Sequence, residues 1–90
     1  VPPLAVLDYV RALDHKPGGI EALNNAAVAL WLIGAREKSL PLFAALEAQR
    51  TVEPAVRHNL ALLRSLQSGH EPADRGFVLL RESAATSELL

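Results

Sequence analysis

Apolar positions recur along this chain at spacings of three and four residues, interrupted by short polar or glycine- and proline-bearing breaks, which is the pattern of successive amphipathic helices. From Leu4 to about Asp14 the residues Ala5, Val6, Tyr9, Val10, Ala12 and Leu13 fall on one side of a first helix. A second is predicted from about Ile20 to Ile33, rich in the strong helix formers Ala and Leu. The third spans about Arg36 to Arg50 with Leu40, Leu42, Phe43 and Leu46 as core candidates, and the fourth about Pro54 to Gln67 with Ala55, Val56, Leu60, Ala61, Leu63 and Leu66. Pro72 would open a fifth carrying Ala73, Phe77, Val78, Leu79 and Leu80, followed by a Ser/Thr/Ala-rich tail over 83–90 that reads as a frayed end or the stub of a further helix.

The breaks between these segments have matching chemistry. His15-Lys16-Pro17-Gly18-Gly19 ends the first helix, because Pro17 cannot continue it. Gly34 turns the chain between the second and third, where a residue without Cβ enters the left-handed region cheaply. Thr51 to Pro54 and Ser68 to Glu71 supply the remaining turns. Two residues sit awkwardly: Pro41 lies about five residues inside the third helix, and Gly76 inside the fifth costs about 1 kcal/mol against alanine.

One shift of 34 residues superimposes much of the pattern. It lays Asn25 on Asn59 and Ala27 on Ala61, and in the alternate helices Ala5 on Ser39 on Ala73, Tyr9 on Phe43 on Phe77, and Ala12 on Leu46 on Leu80. A single period satisfying all of these is an internal repeat. A helix–turn–helix unit of that length, with small residues and aromatics at those offsets, resembles the tetratricopeptide repeat. The resemblance implies an all-α, right-handed α-solenoid of five helices over residues 1–90: half a repeat (1–19) and two full repeats (20–53 and 54–87). Ala26, Pro41, Arg64, Thr51 and Ala85 depart from the family pattern, and Arg64, standing where a bulky apolar residue is usual, is expected to snorkel outward. The string VRHNLALLRSLQSG, residues 56 to 69, also resembles segments of the repeat proteins that assist assembly of bacterial tight-adherence pili.

Composition narrows what such a domain could do. Half the residues are hydrophobic but only 4% are aromatic, so the interior is built from Ala, Leu and Val. A net charge of −1 without a basic tract gives no electrostatic footprint for nucleic acid. The longest apolar run, Ala26 to Gly34, stops at nine residues, well short of the ~20 needed for a helical membrane span, so direct membrane insertion is not expected. Cysteine is absent, which excludes disulfide and thiolate chemistry and leaves the cytoplasm and periplasm equally open. Because Val1 opens in the middle of a repeat, the chain reads as a fragment or processed product.

Enzymatic chemistry finds no footing in the pattern. His15, His58 and His70 are dispersed, and none has a second ligand-type residue at metal spacing on its helical face. Gly18-Gly19 has no strand before it, so it is not a phosphate loop, and the carboxylates Asp8 and Asp14 are six residues apart. No cofactor and no catalytic residue are expected.

Binding is the better-supported reading, and the resemblance says where. Its first helices line a concave groove, so the groove-facing residues would be Glu21, Asn24, Asn25, Val28, Trp31 and Leu32 from the second helix. Ala55, His58, Asn59, Leu62, Ser65 and Leu66 would come from the fourth. An asparagine amide offers a donor and an acceptor together, which suits Asn25 and Asn59 to the backbone of an extended peptide; the alternative is that they tie neighbouring helices. Glu21 and Ala55 stand where family members that grip a terminal carboxylate carry basic residues, which argues against that mode. Trp31 is either a sealed core residue or an anchor at the groove mouth.

The function expected is therefore that of a protein–protein interaction scaffold, an adaptor or chaperone in a bacterial secretion or pilus assembly system. The alternative is a structural assembly module that stacks on further repeats, or on a second copy of itself, through ends exposing Leu4, Val6, Leu7 and Val10 on one side and Phe77 to Leu80 on the other.

Overall fold

The computed structural model describes residues 3–15, 19–69 and 76–80. Four α-helices follow one another, α1 Pro3–His15, α2 Ile20–Leu32, α3 Arg36–Ala48 and α4 Pro54–Gln67, and no strand occurs among the described residues. The chain is all-α. Helices two to four begin at the residues the pattern names, and the ends of α2 and α3 fall one and two residues earlier than expected. The turn signals from Lys16 to Gly18, the side chains of Leu4 and Ala5, Pro72, Ala73, and the tail from 83 to 90 lie outside the described residues.

The fifth helix is the correction. Residues 76–80 are not helical, and the bonds of their alternate residues Val78 and Leu80 are those of extended backbone, so the described chain has four helices and not five. A short helix is marginal by itself and Gly76 weakens it further. The competing conformation offers the backbone of Val78 and Leu80 hydrogen bonds to side chains of α2 and α4, described below.

Central to the fold is α2, in which the eight consecutive residues from Leu23 to Leu30 are all buried. A helix buried on every side must have neighbours on every side, and small side chains make that possible. Ala26, Ala27 and Ala29 have no exposed surface. On one flank Ala29 and Leu30 pack with Val6 of α1, Tyr9 closing over them; on the other Leu23, Ala27 and Val28 join Phe43 and Leu46 of α3 and Val56, Leu60 and Leu63 of α4. Ser39 of α3 is buried in this seam, where its hydroxyl donates 2.6 Å to the Ala27 carbonyl. That bond satisfies a polar group which would otherwise lose ~1–3 kcal/mol by burial. Val6 is thus part of the interior, whereas Leu7 and Val10 face outward.

The turns are closed by left-handed residues. Gly34 (φ +91°) ends α2 with the Ala35 amide on the Leu30 carbonyl and its own amide on that of Trp31, the paired bonds of a Schellman cap. Gly69 (φ +78°) occupies the corresponding place after α4. After α3 the same place is held by Arg50 at φ +51°, its amide on the Glu47 carbonyl. An L-residue there carries ~1–2 kcal/mol of strain, partly offset in glycine by the freedom of its unfolded chain. Arg50→Gly is therefore expected to raise stability by about 0.5 kcal/mol in urea titration, and Gly34→Ala to lower it by about 1 kcal/mol.

Pro41 does not break α3. The carbonyl of Glu37 loses its usual donor four residues on, but both residues lie on the exposed side, where water replaces the missing amide. Arg64, as its position requires, extends along the exposed surface and pairs with Glu47 of α3.

Candidate functional site

Residues 76–80 lie across α2 and α4, and three asparagines hold them by the main chain. Asn25 takes both polar groups of one residue: its Nδ2 donates 2.9 Å to the Leu80 carbonyl, and its Oδ1 accepts the Leu80 amide at 2.7 Å. Asn59 does the same to Val78, donating 2.7 Å to its carbonyl and accepting its amide at 2.8 Å. Each carboxamide therefore serves as one residue of a neighbouring strand would. The two clamped residues are separated by one, as they must be, because in extended backbone the amide and carbonyl of alternate residues point to the same edge.

Asn24 connects the two clamps. Its Nδ2 donates 3.0 Å to the Val78 carbonyl and 3.2 Å to Asn25 Oδ1, while its own Oδ1 accepts from Asn59 Nδ2 at 2.7 Å. Every amide hydrogen of Asn24 and Asn59 thereby has an acceptor, and the direction of each carboxamide follows from its partners. The three residues are buried, two of them completely. Among the described residues no buried side-chain nitrogen or oxygen lacks a partner. Further along, His58 Nε2 stands 2.6 Å from the Gly76 carbonyl. A carbonyl oxygen only accepts, so this nitrogen carries the proton of that bond.

Beside this polar row is an aromatic cluster. Phe77 of the extended segment is half-buried, its ring 6.1 Å from Trp31 and 5.8 Å from Phe43, and Trp31 meets Phe43 edge-on at 6.4 Å. These separations suit tilted and edge-to-face aromatic pairs. The Arg36 guanidinium lies 4.7 Å from the centroid of the Trp31 ring, a cation–π position. Leu80 packs on the same core cluster, whereas Val78 and Leu79 are exposed.

The residues named from the pattern divide in space. Asn24, Asn25, His58 and Asn59 converge on 76–80, and Trp31 stands beside them against Phe77. Val28 and Leu62 are buried, Val28 wholly and within the Phe43 cluster. Ala55 and Ser65 are half-buried. Glu21, Leu32 and Leu66 are exposed and take no part in the bonds to 76–80.

The apolar spacing places these residues in a helix and does not reveal them as a segment lying across α2 and α4. Its signals are there: Gly76 followed by four consecutive apolar residues, one β-branched, is a run without helical alternation. Among the described residues no group of His, Cys, Asp and Glu could hold a metal ion, and no helix is long and apolar enough to cross a membrane.

Among the described residues, the helices α2 and α4 of an all-α fold hold the chain's own segment 76–80 by its main chain. No protein-family profile, no curated protein and no solved structure matches the chain.

Proposed function

We propose that this chain is a tetratricopeptide-like interaction module that takes an extended segment of a protein partner into a groove between α2 and α4. The observation that carries the reading is the asparagine row: the amides and carbonyls of Val78 and Leu80 are both held by Asn25 and Asn59, with Asn24 joining the two. Carboxamides that complete a backbone in this way recognise extended chain and are indifferent to side-chain identity at the clamped positions, as strand addition is. Selectivity then comes from Trp31 and Phe43, which offer an aromatic notch beside the row.

Selection of displayed peptides on the intact chain tests this. Enriched sequences are expected to avoid proline at the two clamped positions, and in a chain whose own segment is loosened by Phe77→Ala, so that it no longer competes for the same carboxamide, Asn25→Ala is expected to weaken their binding at least tenfold with far-UV circular dichroism unchanged. Binding insensitive to Asn25 would place the interaction elsewhere on the molecule.

The assembly reading rests on a different feature, the outward Leu7 and Val10 of α1, of which Leu7 is 50% exposed. Should copies stack through this helix, sedimentation over a hundredfold concentration range will show association that Leu7→Lys removes; a monomer throughout leaves the groove as the interaction surface.

A further inference from the structure

We infer that residues 76–80 are a built-in competitor for the groove, and that its partner is an extended segment carrying an aromatic residue followed, three positions on, by an aliphatic one. This rests on the reading of α2 and α4 as a peptide-binding groove and goes beyond it in naming the ligand's pattern and the contact that keeps the groove closed. The segment shows how the face is read. Phe77 and Leu80 are its half-buried, core-packed side chains, Val78 and Leu79 point to solvent, and the main chain of Val78 and Leu80 carries the asparagine bonds. The recognised features are thus two apolar side chains at positions two and five of a five-residue stretch and two main-chain pairs at positions three and five.

The attachment has the makings of a reversible one. Five of its hydrogen bonds to the asparagines involve only Val78 and Leu80, and its principal ring contact only Phe77. None of these contacts depends on the segment being covalently joined to α4. A free peptide of the same pattern can make all of them. Tethering nevertheless favours the resident segment, because a short linker holds it at an effective concentration of about millimolar. An incoming ligand therefore binds with an affinity reduced by the fraction of molecules whose groove is open.

Titration of the full chain with the pentapeptide of residues 76–80, blocked at both ends, separates the possibilities. Two variants loosen the resident segment from different sides: Leu80→Pro removes the amide that Asn25 accepts, and Phe77→Ala removes the ring from the Trp31 and Phe43 notch. Both are expected to bind the peptide at least tenfold tighter than the unmodified chain. A peptide with proline at its third position, or alanine at its second, is expected to lose at least tenfold, and alanine at its fourth to change binding less than twofold.

Equal binding by the unmodified chain and the variants would overturn the competition while leaving the groove intact. Failure of every folded chain to bind the peptide would overturn the groove reading itself. If both variants lose their helical circular dichroism, the segment is an integral part of the fold, and the inference falls with them.

Discussion

Truncating Phe43 to alanine is expected to remove about 3–5 kcal/mol of stability, a large share of what holds a domain of this size together. Its ring is 1% exposed and stands where α2, α3, α4 and the extended segment meet, in one cluster with Leu23, Ala27, Val28, Leu46 and Val56 and within aromatic distance of Trp31 and Phe77. The cost combines lost transfer energy with a cavity that helices on several sides cannot all collapse to fill. Urea unfolding followed by circular dichroism measures it. A loss below about 1 kcal/mol would mean that the cluster repacks freely, against the burial seen here.

The second large effect belongs to Asn59. Replacement by alanine is expected to cost about 2–4 kcal/mol and to free residues 76–80 from the helices. Three bonds disappear together: the donation to Asn24 Oδ1, the donation to the Val78 carbonyl and the acceptance of the Val78 amide. While the segment stays in place, water can reach Val78, which is exposed, but not the Asn24 oxygen, whose residue is completely buried, and release of 76–80 is what relieves that oxygen. The penalty therefore falls mainly on Asn24, and Asn24→Leu in the same chain is expected to restore part of the stability without restoring the clamp, since two apolar groups leave no orphan. Trp31 fluorescence reports the release, because Phe77 leaves its neighbourhood. Additive losses in the double variant would show that the two asparagines act separately.

Helices α1 to α4 are legible in the sequence because their apolar spacing, their Pro54 start and their Gly34 stop all point to the same boundaries. The asparagines were visible as residues able to hold backbone, though the pattern alone left open whether they tie helices or a peptide. The bond from Asn59 to Asn24 ties α4 to α2, and the bond to Val78 ties the chain's own segment to α4. The pattern points to a helix at residues 76–80 for a specific reason. The shift of 34 places Phe77 on Phe43, and a register reports which side chains recur, not the backbone conformation that delivers them. Here the extended segment brings the Phe77 ring within 5.8 Å of Phe43 itself, so the same hydrophobe joins the same core without a helix. Trp31, which the pattern could assign either to the core or to a binding surface, is half-buried between Phe43, Phe77 and Arg36.

The alternation of the clamp also sets a clock in the backbone. The amides of Val78 and Leu80 end on carboxamide oxygens, whereas none of the asparagines accepts the amide between them, that of Leu79. Deuterium should therefore enter this stretch unevenly, slowly at the first and third of these positions and quickly at the second, a two-residue periodicity of protection imposed by side chains. Because the two slow amides can exchange only when the segment leaves α2 and α4, their rates should rise and fall together. The free energy they report is that of release alone, lower than the value read from amides in the middle of α2, which wait for the whole molecule to open.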